Sequence, residues 1–435
     1  MAQRLDAADE GFVAALNQLV ERRRDAEDDV RDSVAAIIAA VRAEGDAALV
    51  ELTRRFDRLN LAPGDLRIGE AEIGAATAAC PPEQLDALHL AALRIRAFHE
   101  RQLPEATAWA DANGVRLGLR WTPIDAVGLY VPGGTAAYPS PVLMNAIPAR
   151  VSGCRRLVMA VPTPDGILSP LVLAAAGIAG IDEVYRIGGA QAIAALAYGT
   201  ASIAPVDKIM GPGNTYVAEA KRQVFGRVGI DMIAGPSELV VVADKDANAA
   251  WIAADLLSQA EHDPRAQAIL VTDHRPLADA VAREVDRQLQ SLVRAETAAR
   301  SWRDEGAIIV VRSLDDALDI VDRLAPEHLE LLTADAESLA RRVRHAGAIF
   351  LGPHTPEVIG DYVGGPNHVL PTGRSARFAS GLAVFDFLKR TTILGCDARS
   401  FALLAPAASL LARAEGLEAH ALAVERRLAT LEPEA

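Results

Sequence analysis

Residues 126–134 read Ala-Val-Gly-Leu-Tyr-Val-Pro-Gly-Gly, a short apolar run that ends in a proline–glycine turn. The pattern of an apolar run followed by glycines recurs at 183–191, where Gly188-Gly189 ends the run, and at 208–214, where Gly211-Pro212-Gly213 does so. Segments with helical spacing of apolar residues separate these runs. Strands that alternate with helices predict right-handed βαβ units and a mostly parallel sheet.

Further short apolar runs follow the first group. The full set of predicted strands is Ala126–Val131, Arg156–Val161, Glu183–Ile187, Lys208–Met210, Leu239–Ala243, Ala268–Thr272, Ile308–Arg312, Glu330–Leu332 and Ala348–Leu351. Nine strands are more than a single parallel sheet of this kind usually contains. Gly235-Pro236 marks the expected boundary between two sheets. The predicted fold class is therefore α/β, with two Rossmann-like parallel-sheet modules of an incomplete dinucleotide-binding type.

Helices are expected at both ends of the chain. Apolar residues recur every three or four positions from Asp9 to about Arg96, the period of amphipathic helices. After Gly381, a strand-like stretch at Leu382–Phe387 gives way from Ser400 to an Ala/Leu/Arg-rich helical tail. The tail is too short to fold alone, so it must pack on this chain or on a second copy.

The domain prediction follows from these patterns. We expect an N-terminal helical segment at 1–26 and an α/β nucleotide-binding module at 126–236. A discontinuous α/β domain, formed by 27–125 and 237–381, would carry the metal and catalytic residues. Residues 382–435 would form a C-terminal tail domain that packs on this chain or on a second copy.

Composition excludes several classes of protein. The 435 residues are 51% hydrophobic and 23% charged, as in ordinary globular proteins, and the length suggests two or three domains. The formal charge of −14 disfavours nucleic acids and anionic membranes as partners. The apolar run Ile167–Ile181 is too short and too interrupted to span a bilayer, and the polar, acidic start lacks a secretory-signal pattern.

The chain contains three widely spaced cysteines, Cys80, Cys154 and Cys396. Their odd number and the absence of a C-x-x-C pair exclude a disulfide framework and a cysteine-rich zinc site. The expected compartment is the cytoplasm.

The glycine-rich turns are candidates for nucleotide binding. Ligands of open α/β sheets bind beyond the carboxyl ends of strands, where glycines let backbone N–H groups approach a phosphate. A complete G-x-G-x-x-G is absent, because Tyr216 occupies the third glycine position after Gly211 and Gly213. Three such turns in succession favour two interpretations about equally: a nucleotide-binding site, and turns without a ligand.

Several polar residues could carry chemistry. Gln259 and His262 share one helix face, and His328, beside Glu327, could act as a general base with Glu327 as a second proton carrier. A metal-assisted hydrolase would use Gln259, His262, Asp361 and His420 as nitrogen and oxygen ligands. A dehydrogenase would use both modules, whereas a nucleotide sensor would use only the first. Nucleophilic catalysis by Ser237 is a poor fit because the second glycine of G-x-S-x-G is missing.

Taken together, these motifs resemble the histidinol dehydrogenase family. The resemblance runs from about Glu27 into the tail, and the matching stretches occur in family order: Gly128–Gly134, Ile187–Gln191, Lys208–Asn214, Asp231–Glu238, Ser258–Asp263, Ala325–Leu332, Gly360–Thr372 and Glu415–His420. The first 25 or so residues and the last helices match less well.

The resemblance implies a role for individual residues. It assigns Zn²⁺, one ion per subunit, to Gln259, His262, Asp361 and His420, and the acid–base pair to Glu327 and His328. It assigns NAD to Tyr130, Gln191 and Asn214. The implied substrate-binding set is Ser237, Gln259, His262, His328, Asp361, His368, Glu415 and His420.

The resemblance also implies the reaction: oxidation of L-histidinol to L-histidine by NAD through bound L-histidinal, the last step of histidine biosynthesis, with zinc orienting the substrate. It implies an intertwined homodimer in which the tail domain, 382–435, completes the partner subunit's site. No nucleic acid or membrane partner is expected. A zinc-dependent hydrolase of a small amide or amino substrate is the alternative.

Overall fold

The computed structural model describes residues 2–22, 30–133, 138–232 and 235–431. These residues form two compact units. The first unit comprises Met1–Gln102 and Asp125–Asp386, and the second comprises Leu103–Ile124 and Phe387–Ala435.

The strands are β1 (Gln3–Asp6), β2 (Arg67–Ile68), β3 (Thr107–Ala110), β4 (Arg116–Pro123), β5 (Ala126–Tyr130), β6 (Arg156–Ala160), β7 (Glu183–Tyr185), β8 (Lys208–Met210), β9 (Gly229–Ile230), β10 (Glu238–Ala243), β11 (Gln267–Thr272), β12 (Ala307–Val310), β13 (His328–Leu332), β14 (Ala348–Leu351) and β15 (Leu388–Gly395). All nine strands predicted from the sequence are among them.

The helices are α1 (Phe12–Glu21), α2 (Arg31–Glu44), α3 (Asp46–Phe56), α4 (Glu70–Ala78), α5 (Pro82–Glu100), α6 (Pro139–Ser152), α7 (Pro170–Ala179), α8 (Gly189–Tyr198), α9 (Thr215–Val224), α10 (Ala249–Ala260), α11 (Arg275–Leu289), α12 (Ala295–Asp304), α13 (Leu314–Leu324), α14 (Ala336–Ala340), α15 (Glu357–Ile359), α16 (Ala398–Ala414) and α17 (Glu418–Ala429). A π-helical turn, Gly360–Gly364, follows α15 directly. No helix in the described ranges has the length and apolarity needed to cross a membrane.

The first sheet has the strand order β2-β7-β6-β5-β8-β9, and its strands run parallel except for the β2–β7 pair. Its central strands are buried on both faces, which explains why β5 and β6 read as continuous apolar runs. Helices α2 and α3 pack on this sheet through Val34, Ile38 and Leu49, which share a core with Ile193 of α8.

The second sheet has the strand order β1-β12-β11-β10-β13-β14 and is parallel throughout. Every residue of β10, β11 and β13 is buried. The α/β class with two parallel-sheet modules and helical ends is confirmed.

The second unit contains an antiparallel sheet of order β15-β4-β3 and the packed helices α16 and α17. Helix α16 begins at Asp397, whose carboxylate accepts the N–H of Ser400 (2.7 Å). The strand predicted at Leu382–Phe387 is wrong: the strand is Leu388–Gly395. The apolar run reflects burial: Leu382 is buried, and so are Val384 and Phe387, which begin and end a 3₁₀ turn, whereas β15 is mostly exposed.

Two further features differ from the sequence-based grouping of residues. The segment predicted as helical at 1–26 also contributes β1 to the second sheet, where β1 pairs with β12. Residues 31–56, grouped by the prediction with 237–381, pack on the first sheet. Both differences arise because tertiary packing, which local periodicity does not report, decides where a terminal segment docks.

Candidate functional site

A cavity of about 490 Å³ lies at the carboxyl edge of the first sheet. The three residues predicted to contact NAD all line it, because Tyr130 ends β5, Gln191 lies in the first turn of α8, and Asn214 directly precedes α9. Gly133, Gly189 and Gly213 line the same cavity, whereas Gly134 of the first glycine-rich stretch lies outside the described residues. The structure thus brings the three successive glycine-rich turns together.

Hydrogen bonds fix the polar groups of this cavity. The hydroxyl of Tyr130 accepts the N–H of Gly189 (3.1 Å), and burial raises the pKa of Tyr130 to about 12, so the hydroxyl is neutral. Asn214 caps α9 by accepting the N–H of Val217 (3.1 Å). Two ten-residue helices, α8 and α9, therefore direct their N-termini to one cavity, an arrangement suited to phosphate groups.

A buried ion pair supports the turn after β8. Lys221 and Asp231 are both nearly inaccessible and contact each other, and Asp231 Oδ2 accepts the N–H of Gly211 (2.7 Å). Lys221 Nζ donates to the carbonyl of Gly211 (3.1 Å). Gly211 has φ +106°, and a Cβ there would lie 2.1 Å from the carbonyl oxygen of Tyr130. Only glycine permits this close approach of the turn to β5.

Sequence reasoning missed part of this cavity. Ile37, Phe56 and Asp57 also line it, from α2 and the end of α3. Burial raises the pKa of Asp57, although a backbone N–H of Thr163 acts in the opposite direction. No glycine pattern marks these residues, and only their packing on the first sheet brings them to the cavity.

A second cluster of polar residues lies at the amino edge of the second sheet. His328 is the first residue of β13, and Glu238 is the first residue of the neighbouring β10. Gln259 and His262 lie at the end of α10, which leads from β10 back to the next parallel strand, β11. A crossover helix returns the chain to the edge where the strands begin, so the end of α10 lies near His328.

Four carboxyl-bearing residues surround His328. Its Nε2 lies 3.3 Å from Oδ1 of Asp361, and its Nδ1 lies 3.7 Å from Oε2 of Glu357 and 3.9 Å from Oε2 of Glu327. The Nδ1 atom is also 3.2 Å from the carbonyl of Glu238, whose N–H donates to Oε2 of Glu327 (3.0 Å). A single imidazole therefore lies among buried acidic groups.

Burial and charge shift the pKa values of this cluster strongly. Burial raises the pKa of Glu327 to about 8 and that of Glu357 to about 7. Burial alone would lower the pKa of His328, but Glu327 and Glu357 outweigh it and raise that pKa well above its usual value. Asp361 keeps a lowered pKa despite its burial, because it pairs with His328. Groups of this kind hold and transfer protons near neutral pH.

The predicted metal ligands of the first unit lie beside this cluster. Nε2 of Gln259 is 3.3 Å from Nδ1 of His262, and the buried Oε1 of Gln259 has no hydrogen-bond partner among the described residues. Burial lowers the pKa of His262, which keeps the ring neutral, and the charge of Asp361 acts on it in the opposite direction. An unused amide oxygen, a neutral imidazole and a carboxylate fit the donor set of a borderline divalent ion.

The remaining predicted residues occupy different positions. Nδ1 of His368 lies 3.0 Å from the carbonyl of Asp361, whereas Ser237 directly precedes β10. Glu415 and His420 are exposed residues of the second unit, at the end of α16 and in α17. Within the described ranges, no three His, Cys, Asp or Glu side chains group closely enough to hold a metal ion by themselves. Glu357 and Glu238 were not predicted as site residues. Both are buried, and no local sequence pattern distinguishes them from other acidic residues.

A glycine-lined cavity on one parallel sheet and a buried acid–base cluster on the other are features of an α/β enzyme. The sequence pattern of the family described as histidinol dehydrogenase matches residues 20–428. The histidinol dehydrogenase of Rhodospirillum rubrum is 61% identical over 98% of this chain and 99% of its own length, and that of Ruegeria pomeroyi is 60% identical over the same shares. The crystal structure of histidinol dehydrogenase from Elizabethkingia anophelis superimposes with a TM-score of 0.95 at 35% identity, covering 99% of this chain and 98% of that one.

The chain belongs to the histidinol dehydrogenase family. The predicted family, the prediction of an enzyme and the prediction of an oxidoreductase are confirmed. None of the relatives above supports the hydrolase alternative.

Proposed function

We propose that this protein oxidises L-histidinol to L-histidine with NAD, through bound L-histidinal, as the last step of histidine biosynthesis. The observation that carries the proposal is His328 enclosed by Glu327, Glu357 and Asp361 in a chain 61% identical to a histidinol dehydrogenase. Alcohol oxidation needs a group that accepts one proton as the hydride leaves, and this cluster contains such groups.

The acid–base roles are assigned to His328 and Glu327. Because neighbouring carboxyls raise its pKa, His328 first passes its own proton to one of them and then, as the neutral ring, accepts the proton of the alcohol when the first hydride passes to NAD. Glu327, whose buried carboxyl has a pKa of about 8, serves the addition of water to the aldehyde before the second hydride leaves. The N–H of Glu238 holds the carboxyl of Glu327 beside His328 during both steps.

NAD is assigned to the cavity of the first sheet. Tyr130, Gln191 and Asn214 line this cavity, and the N-termini of α8 and α9 suit the pyrophosphate. The neutral hydroxyl of Tyr130 adds no charge that would repel the phosphates.

The metal proposal assigns Zn²⁺, one ion per subunit, to Gln259, His262, Asp361 and His420. Support comes from the unpartnered Oε1 of Gln259 and the neutral ring of His262 beside Asp361. A bound zinc ion would orient the nitrogen atoms of the substrate without changing its own oxidation state. Ser237, His328, His368, Glu415 and His420 complete the proposed substrate site with the other three ligands.

The proposal includes an intertwined homodimer in which Glu415 and His420 complete the partner's site. Mixing inactive His420→Ala protein with inactive His262→Ala protein under subunit exchange should then restore part of the activity, because some mixed dimers regain one intact site. Absence of recovery, with exchange shown by labelled subunits, would place each site within one chain. A cytoplasmic location belongs to the same proposal, since the three cysteines, all within the described residues, form no disulfide bond.

The function is tested by following the absorbance of reduced nicotinamide with L-histidinol and NAD. We expect two NADH for each histidinol, loss of activity after chelation and recovery on adding Zn²⁺. L-Alaninol, which lacks the imidazole, is the matched control and should give no comparable rate. No NADH from histidinol by the metal-loaded protein would refute the proposed function.

A further inference from the structure

Two acidic side chains behind His328 have no role in the proposed reaction. Glu330 follows His328 by two residues in β13, so both side chains point to the same face of the sheet. Asp255 lies on α10, one helical turn before Gln259, and so faces the same side of that helix. Glu330 is fully buried, whereas Asp255 is partly exposed.

Glu330 is tied to the cluster through Glu357. Oε1 of Glu330 accepts the backbone N–H of Glu357 (2.7 Å), and Oε2 of Glu357 lies 3.7 Å from Nδ1 of His328. Oε1 of Glu357 is held from the other side by the hydroxyl of Ser258 (3.3 Å) on α10. The position of the Glu357 carboxyl against His328 therefore depends on an acceptor at Glu330.

The surroundings of Oε2, the other carboxyl oxygen of Glu330, indicate how Glu330 and Asp255 are protonated. Glu330 is fully buried, and no N–H or O–H donor in the described part of the chain reaches its Oε2. Its side-chain hydrogen-bonding neighbour is the carboxyl of Asp255. Two carboxyl groups can form a hydrogen bond only when one of them carries a proton.

Burial and charge decide which residue carries the proton. Burial, with the charges of Asp255 and Glu357 adding to it, raises the pKa of Glu330 to about 9. Burial raises the pKa of Asp255 only to about 6. At neutral pH the proton therefore resides on Glu330, which donates to the carboxylate of Asp255.

We propose that Asp255 and Glu330 share one proton and act as positioning residues, joining α10 to β13 and holding Glu357 against His328. The inference rests on the proposed function only in that His328 and Glu327 are the acid–base pair. Neither residue touches the reacting atoms. Their effect is on the geometry of His328, as is typical of residues that orient the groups of an active site.

Two substitutions of Glu330 separate positioning from packing. Glu330→Met keeps the volume but removes both hydrogen bonds, so kcat should fall about 10- to 100-fold while the KM for NAD stays within twofold. The melting temperature should fall, because the backbone N–H of Glu357 and the carboxyl of Asp255 lose their partner, so kcat is measured at a temperature at which the variant is fully folded. Glu330→Gln should restore kcat to within about threefold of wild type, since its amide donates to Asp255 and accepts from Glu357 and keeps the charge of the pair.

A spectroscopic readout makes the proton visible. The infrared spectrum of wild type minus Glu330→Gln at neutral pH should show the loss of one protonated carboxyl. Thr272→Val, which removes a buried hydroxyl at the far end of β11, is the matched control and should leave kcat and the carboxyl band unchanged.

Each outcome decides the inference. Wild-type kcat in Glu330→Met would exclude a positioning role. A loss in Glu330→Gln as large as in Glu330→Met, or no lost carboxyl band, would exclude the shared proton. If Glu330→Met does not fold, Glu330→Gln and its spectrum still decide. A wild-type protein that does not oxidise histidinol yet shows the band would refute the function and leave the proton pair standing.

Discussion

The two parallel sheets present their polar residues at opposite edges. The first sheet does so at its carboxyl edge, where glycine turns and the N-termini of α8 and α9 surround a cavity. The second sheet does so at its amino edge, where His328 and Glu238 begin strands and α10 ends. The site at the carboxyl edge of the first sheet is built largely from backbone groups, and the site at the amino edge of the second sheet is built from buried, titratable side chains.

The difference shows how one fold separates binding from proton transfer. Backbone N–H groups at the carboxyl edge bind anions without changing charge, which suits a dinucleotide that must be exchanged between steps. At the amino edge, burial raises the pKa values of Glu327 and Glu357 towards neutrality. The two edges should therefore respond to mutation in different kinetic constants.

The largest expected effect is that of His262→Ala. It removes a proposed metal ligand at the amino edge, so activity should fall more than about 1,000-fold and zinc should be lost, while NADH binding to the first sheet stays unchanged. Elemental analysis and fluorescence titration with NADH measure the two properties. His89→Ala on the exposed face of α5 is the matched control. Full zinc occupancy in the His262→Ala protein would contradict the ligand assignment.

Glu327→Gln should divide the two oxidation steps. The amide keeps the hydrogen bond from Glu238 but accepts no proton, so the first hydride transfer should be nearly normal and the second slower by about tenfold or more. Single-turnover measurements should show one NADH forming promptly and the second lagging. Equal slowing of both steps would make Glu327 a positioning residue and leave His328 as the base throughout.

Tyr130→Phe tests the carboxyl edge. Loss of the hydrogen bond to Gly189, worth about 0.5–1.5 kcal/mol, should raise the KM for NAD by about 3- to 10-fold without a change in kcat. Tyr185→Phe on β7, two strands away in the same sheet, is the matched control, since its hydroxyl donates to Glu183 instead. A fall in kcat with an unchanged KM for NAD would contradict the proposal that the carboxyl edge binds NAD and the amino edge transfers protons.

The same residue sets an expected pH dependence. Because the pKa of Tyr130 is raised to about 12, its hydroxyl stays protonated below that value. Its contribution to NAD binding should therefore be constant from pH 7 to about pH 10 and fall only as pH rises towards 12, where the negative charge of the phenolate would repel the phosphates of NAD. NADH titrations of wild type and Tyr130→Phe across this range measure it. A ratio of the two affinities that falls between pH 7 and pH 10 would contradict the raised pKa.

The smallest effect is expected from the cysteines. Cys80 and Cys154 are buried and Cys396 is partly exposed, and none lies at either edge described above. Replacing each with Ala or Ser should cost no more than about 1–2 kcal/mol of packing and leave kcat within twofold. Steady-state kinetics of the three variants measure kcat. Total loss of activity in one of them would indicate a thiol mechanism and contradict the roles proposed for the two edges.

The strands of both sheets were predictable because burial on two faces leaves continuous apolar runs. The six strands that were missed lack this signal. Strands β2 and β9 have two residues each, whereas β1, β3, β4 and β15 are mostly exposed or only partly buried. The buried run Leu382–Phe387 attracted the strand prediction instead, since hydrophobicity reports burial and not conformation.

The predictability of the sites follows the same division. Glycine turns mark the carboxyl edge directly, so Tyr130, Gln191 and Asn214 could be placed near one another from the chain alone. The carboxyls around His328 come from separate elements, and Glu357 and Glu238 carry no local pattern. The family resemblance supplied the proposed ligand set, which spacing did not.

The first strand of the chain, β1, has a consequence for synthesis on the ribosome. Gln3 pairs with Ala307, about 300 residues later, whereas the first sheet is complete by Ile230. At about 5–20 residues per second, about 15–60 s pass between the synthesis of β1 and that of β12, its neighbour in the sheet. During that interval β1 is an unpaired strand, and the second sheet is completed at that edge only after β12 has been made.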